Sequence, residues 1–225
     1  MTHLLTQNAK MKKSGGDTYS IWNFGIPAFQ SKDGLKTCPM AGVCAKGCYA
    51  QAGAYTWTPT IKAYEWRLAQ TQLPGFTELM SKDILRRQHT AERKGLTLVI
   101  RIHDSGDFYS GTYTQNWLHI MEQHPNVIFY AYTKMVAMFR HIRKTRPDLP
   151  DNFRLIFSEG GRQDRMIRAT ERHSRVFDTE EALIDAGYDD ASNDDTVAFL
   201  SDSGKIGLVY HGVESRRWET GSKAS

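Results

Sequence analysis

The apolar positions of this chain change period as they run, and the changes mark out alternating elements. Leu96 to Ile102 reads as a buried-type strand, and Thr112 to Gln123 spaces its apolar residues as a helix does. Val127 to Tyr132 is the next strand, followed by Met135, Met138, Phe139 and Ile142 at helical spacing; Phe153 to Phe157 is a further strand. Upstream, Thr18 to Phe24 alternates as a strand that Gly25-Ile26-Pro27 ends. A helix beginning near Pro59 stops at Pro74-Gly75, and another carries Phe76, Leu79, Met80 and Ile84 as far as Lys94-Gly95.

This rhythm predicts an α/β fold with a parallel sheet and crossover helices. A closed barrel of eight such units takes about 250 residues. The units here are too few for closure, so the expected fold is a partial, incomplete parallel β/α barrel-like sheet. Val197–Leu200 and Ile206–Tyr210 flank a glycine-containing turn and predict a C-terminal β-hairpin. Arg165, Arg168, Arg172 and Arg175 recur at helical spacing and predict a helix over 162–176 with one basic face. Residues 1–17 read as a polar lead-in, 36–50 as a cysteine loop and 219–225 as a flexible tail, all within a single domain.

Composition adds boundaries. With 40% apolar and 24% charged residues in 225, the chain is an ordinary globular protein with a substantial core. The start has no apolar signal region and no run is long enough to span a bilayer, which leads to the expectation of a cytoplasmic protein without a membrane partner. The net charge of +4 does not by itself imply nucleic acid. The arginine face is the candidate docking surface for nucleic acid or a host protein, and the acidic residues that follow, from Asp178 to Asp195, are its neutralising alternative.

The cysteines change the picture more. All 3 lie in one stretch, Cys38, Cys44 and Cys48, at spacing C-x5-C-x3-C. An odd number in one loop does not make a disulfide framework, while reduced thiolates close in sequence suit a thiophilic metal. The expectation is a 4Fe-4S cluster held by these three, with Gly42 and Gly47 turning the backbone around it and a small-molecule ligand at the open iron. Structural zinc, recruiting a distant ligand such as His103, is the alternative; the spacings of a zinc hydrolase or deaminase are absent.

Polar clusters end the strands: His103-Asp104-Ser105-Gly106-Asp107, then Tyr132-Thr133-Lys134, then Ser158-Glu159-Gly160-Gly161. Parallel strands bring such clusters to one rim, where α/β proteins bind ligands. Helix capping and simple turns are the alternative reading of each. His103 and Asp104 are candidates to orient each other in proton transfer.

Four stretches, Phe24–Ala28, Cys38–Ala50, Ser105–Phe108 and Phe129–Lys134, resemble the phage proteins of the gene product 88 family. That resemblance implies a viral origin and, with it, the cytoplasm of an infected host. A more distant resemblance is to radical S-adenosylmethionine enzymes. It implies that Cys38, Cys44 and Cys48 hold the cluster and that an electron donor is a partner. S-adenosylmethionine would then be bound by Tyr49, His103, Ser105, Gly106, Asp107, Thr133, Lys134, Ser158 and Glu159. The chain departs from that pattern in its longer cysteine spacing and in carrying Gly47, not an aromatic residue, before the last cysteine. The remaining reading is a non-enzymatic accessory or regulatory protein with a structural metal loop.

Overall fold

The computed structural model describes residues 3–210. The expected tail over 219–225 lies outside the described residues. Seven strands form one sheet in the order β1 (Tyr19–Phe24), β2 (Thr97–Ile102), β3 (Ile128–Thr133), β4 (Phe153–Ser158), β5 (His173–Phe177), β7 (Lys205–Val209) and β6 (Asp189–Asp190). Every neighbouring pair is parallel, and the sheet curls into half a barrel. The partial barrel expected from the strand–helix rhythm is therefore the fold.

Strand alternation divides the side chains between two clusters. On the outer face Phe24, Ile100, Ile102, Phe129, Leu155 and Phe157 pack against Leu68 of α2 (Thr58–Thr71), Met80 and Ile84 of α3 (Phe76–Glu92), Trp117 of α4 (Gly111–Gln123) and Phe139 of α5 (Val136–Thr145). α2 has Pro59 in its first turn, where the missing N–H costs nothing. α4 starts at Ser110, whose Oγ accepts from the Tyr113 N–H at 3.2 Å. On the inner face Ile21, Val99, Tyr130, Ile156 and Ile206 meet Met11 of α1 (Ala9–Gly15) and Ala198 and Phe199 of α7 (Thr196–Leu200). These two short helices fill the concavity that further strands would enclose in a closed barrel.

Three expectations are corrected. Within the expected lead-in, residues 3–17 are more than that. Leu4 and Leu5 are buried with their N–H groups on the Asp83 carboxylate, Thr6 bridges the edge strand at Asn23, and Asn8 caps α1. The C-terminal β-hairpin does not form. Val197–Leu200 belongs to α7, and β7 inserts in parallel between β5 and β6. The arginine helix over 162–176 is instead a turn at Asp164–Met166, a second turn in which the Glu171 N–H donates to the Arg168 carbonyl, and β5. The Asp164 carboxylate accepts from the Gly160 and Gly161 N–H groups at 2.8 Å each, which commits the segment to a turn. Its arginines then part company: Arg172 binds the carbonyls of Ala198 and Ser201, and Arg175 binds Glu159. The four-arginine docking face is not formed.

Candidate functional site

The carboxyl ends of β2 and β3 are tied together by one buried carboxylate. Asp107 Oδ1 accepts from Thr133 Oγ1 at 2.6 Å and from the Phe108 N–H at 2.7 Å, and its Oδ2 accepts from the Lys134 N–H at 2.9 Å. Burial raises its pKa, and these hydrogen bonds oppose the rise. The Asp107 N–H donates to the Thr37 carbonyl at 2.9 Å, which fastens the chain just before Cys38 to the same rim. Gly106 makes the turn at φ +87°, and a Cβ there would stand 2.2 Å from Ile26 Cγ1, so no other residue fits.

Lys134 reaches on to β4. Its Nζ donates to Ser158 Oγ at 2.9 Å and to the Glu159 carbonyl at 3.2 Å. The Glu159 carboxylate turns the other way, gripped in a fork by Arg175 Nε at 2.7 Å and Nη2 at 3.1 Å.

His103 and Asp104 do not orient each other. His103, in the left-handed backbone region at φ +69°, places Nε2 at 2.7 Å from the Tyr113 hydroxyl, and burial pushes its pKa down to about 3. It is a neutral ring in the core and not a proton carrier. Asp104 gathers tyrosines: its Oδ2 accepts from Tyr64 at 2.9 Å and from Tyr55 at 3.4 Å, while its carbonyl accepts from the Tyr49 hydroxyl. Tyr49 thus has its hydroxyl sunk into the rim while the residue as a whole is 53% exposed, its ring body facing outward. Burial pushes its phenol up to about 12.

A second charged group lies on the inner face. Arg101 stands over the Tyr132 ring, with Nη1 at 3.6 Å from Asp195 Oδ1 and Nη2 at 3.3 Å from the Tyr49 hydroxyl. Lys10 reaches the same Asp195 oxygen at 3.1 Å.

These groups surround a cavity of about 460 Å³. Tyr49, His103, Ser105, Gly106, Asp107, Thr133, Lys134, Ser158 and Glu159 all line it, as do Cys38, Cys44 and Cys48. The strand ends therefore meet as expected. The metal centre does not follow. Among the described residues no group of three or more His, Cys, Asp or Glu side chains is placed to hold a metal ion. This overturns both the 4Fe-4S and the zinc reading of the loop.

The reason lies in the loop backbone. The Gly42 and Cys44 N–H groups donate to the Gly160 carbonyl at 3.2 and 3.1 Å, and a Cβ on Gly42 would come within 2.9 Å of that oxygen. The glycine serves close backbone approach to the β4 turn and does not aim amides at a cluster. Cys44 lies in one short 3-10 turn, Val43–Ala45, and Cys48 precedes another, Tyr49–Gln51. Cys38 accepts from the Phe29 N–H at 3.4 Å, and its thiol is pushed up to about 12 by burial and then by the Asp107 charge. It is a neutral thiol in the cavity wall.

Comparison with known proteins bears on the same residues. The family model described as Gene product 88 matches residues 3–222. The chain belongs to the gene product 88 family. The Gene 88 protein of Mycobacterium phage L5 is 29% identical over 161 residues, covering 68% of this chain and 64% of that protein. The Gene 88 protein of Mycobacterium phage D29 is 29% identical over 147 residues, covering 62% of this chain and 60% of that protein. The matches thus span a little under two-thirds of these curated relatives. No solved structure matches the chain significantly.

The phage resemblance is thereby established, whereas the likeness to radical S-adenosylmethionine enzymes is not supported. Sequence reasoning also missed residues of this gene product 88 cavity: Arg101, Lys10, Asp195 and Tyr55. Arg101 carried a signal, being a charge inside the apolar run Leu98–Ile102. Lys10 and Asp195 carried none, since their meeting depends on α1 and α7 sharing the inner face.

Proposed function

We propose that this protein binds a small organic molecule in the cavity at the carboxyl rim of its half-barrel, within the cytoplasm of the infected host. The observation that carries this reading is the cavity itself, about 460 Å³ at the carboxyl rim, with the Lys134 ammonium and the Ser158 hydroxyl held in its wall. The cavity has the size of ordinary ligand sites, and its place beyond the strand ends is where parallel α/β folds take ligands.

The Asp107–Thr133 pair holds the wall rigid, Lys134 and Ser158 present donors, and Tyr49 and Tyr132 present ring surface. The test is thermal unfolding against a library of metabolites, with S-adenosylmethionine among them. A true ligand stabilises the folded chain by about 2.7 kcal/mol at a hundredfold excess over its Kd. Ala45→Trp, at a half-buried position of the wall, fills the cavity and is expected to remove that stabilisation while the unliganded protein stays folded. A ligand that stabilises the Trp variant equally binds elsewhere, and the proposal fails.

A further inference from the structure

Resting on that reading, we infer that the cavity selects a small organic anion whose carboxylate or phosphate sits against the Lys134 ammonium. An ammonium has three N–H donors. Two are met by neutral oxygens, Ser158 Oγ and the Glu159 carbonyl, so Lys134 is fixed in direction without being neutralised. Of the nearby carboxylates only Asp107 acts on the ammonium, and it does so from beyond ion-pair distance. Asp107 takes the Lys134 backbone N–H together with Thr133 and Phe108, and Glu159 is held in the fork of Arg175. Among the described residues no carboxylate forms an ion pair with Lys134.

The geometry also places this charge inside the cavity and not on the surface. The Lys134 stem packs against Gly161, where a Cβ would meet Lys134 Cβ at 3.1 Å and Cδ at 3.2 Å, so the chain is confined along the β4 turn. Its charge is felt at Cys48, across the cavity, where it counters the burial that raises the thiol's pKa. At the other charged group Lys10 and Arg101 share the carboxylate of Asp195, and Asp104 lies near the same Tyr49 hydroxyl, so that pole is balanced. A cationic ligand would meet repulsion at Lys134, where an anion is favoured.

The experiment uses isotope-labelled full-length chain and matched pairs of probes that differ only in charge: adenosine 5′-monophosphate against adenosine, and benzoate against benzamide, with inorganic phosphate alone as a third arm. The anionic member of at least one pair is expected to bind about tenfold or more tighter than its neutral twin. Its binding should shift the amide signals of Gly106 and Lys134. Lys134→Met, which keeps the stem and removes the charge, should weaken the anion about tenfold and leave the neutral twin unchanged. Lys134→Arg should retain most of the affinity. Whether a phosphate-bearing or a carboxylate-bearing pair responds identifies the anion's source.

Should the Met variant not fold, wild-type affinity between roughly 0.05 and 0.5 M salt serves in its place, since only a charge-anchored ligand weakens over that range. Equal binding of both twins, or an anion indifferent to Lys134→Met and to salt, overturns the anion assignment and leaves the ligand-binding reading standing. Failure of every probe to perturb the cavity amides overturns both.

Discussion

On the outer face of the sheet, Phe24, Phe76, Tyr113 and Trp117 meet ring against ring beneath four helices of ten residues or more. On the inner face the same strands present Val99, Tyr130 and Ile156, and then, toward their carboxyl ends, Arg101 and Tyr132, to two helices of seven and five residues. One side is mainly apolar and is closed by packing, with Arg67 and Asp83 its buried charges. The other is apolar only at its floor and becomes charged at the rim. Stability resides mainly on the outside, which allows the inside to keep buried ions and an open cavity that a fully packed core would not tolerate.

Four measurements sharpen or break that contrast. The largest effect belongs to the outer core. Trp117→Ala, at a fully buried ring, is expected to cost about 3–5 kcal/mol in urea unfolding. A cost below that of any inner-face variant would reverse the assignment of stability to the outer face. Next, Asp195→Ala strands Arg101 and Lys10 without their shared carboxylate and should cost about 3 kcal/mol, whereas Asp195→Asn, which keeps an acceptor, should cost less. Equal costs for the two would mean that the charge is immaterial to the inner face.

The third is a pH effect at the junction of the two faces. Burial holds His103 at about 3 in the folded chain, while a histidine in the unfolded chain titrates near 6.5. As pH falls the unfolded state takes up this proton first, so the stabilisation is complete above about 6.5. It is then lost toward about 3, at up to about 1.4 kcal/mol per pH unit. His103→Asn tolerates the left-handed backbone and should flatten the acid limb by that slope when urea midpoints are compared at several pH values. An unchanged slope assigns the acid sensitivity to another group. The smallest effect is at the outer helix start. Ser110→Ala removes the cap of α4 and should lower stability by about 1 kcal/mol, read as a small fall in Tm.

Much of the outer face could be read before any coordinates. The spacing of Met80 and Ile84, the proline at the head of α2 and the glycine closing α3 at Gly95 are local signals, and the strands between them fall within a residue or two of their expected limits. The rim was legible for a related reason. Three parallel strands of similar length end at one level, so Ser105, Thr133 and Ser158 are bound to be neighbours once the strands are in register. The inner face was not legible. Val197–Leu200 has the composition of a strand, but Ala198 and Phe199 find burial against Tyr130 as a helix, and β7 takes its hydrogen bonds from β5 and β6.

The cysteines and arginines show the same limit in the chemistry. Sequence spacing established that three thiols share a loop and four guanidiniums share a stretch, because chain connectivity alone keeps such groups near each other. Whether the thiols point to a common centre depended on the bonds from Gly42 and Cys44 to the distant Gly160 carbonyl, and the arginines were separated by Asp164, Glu159 and the carbonyls behind α7. Local periodicity and turn chemistry are written in neighbouring residues and were enough to specify a partial β/α barrel with a polar rim. The direction of each side chain at that rim, and the choice of its partner, rest on contacts between segments far apart in the chain, and only the folded structure decided them.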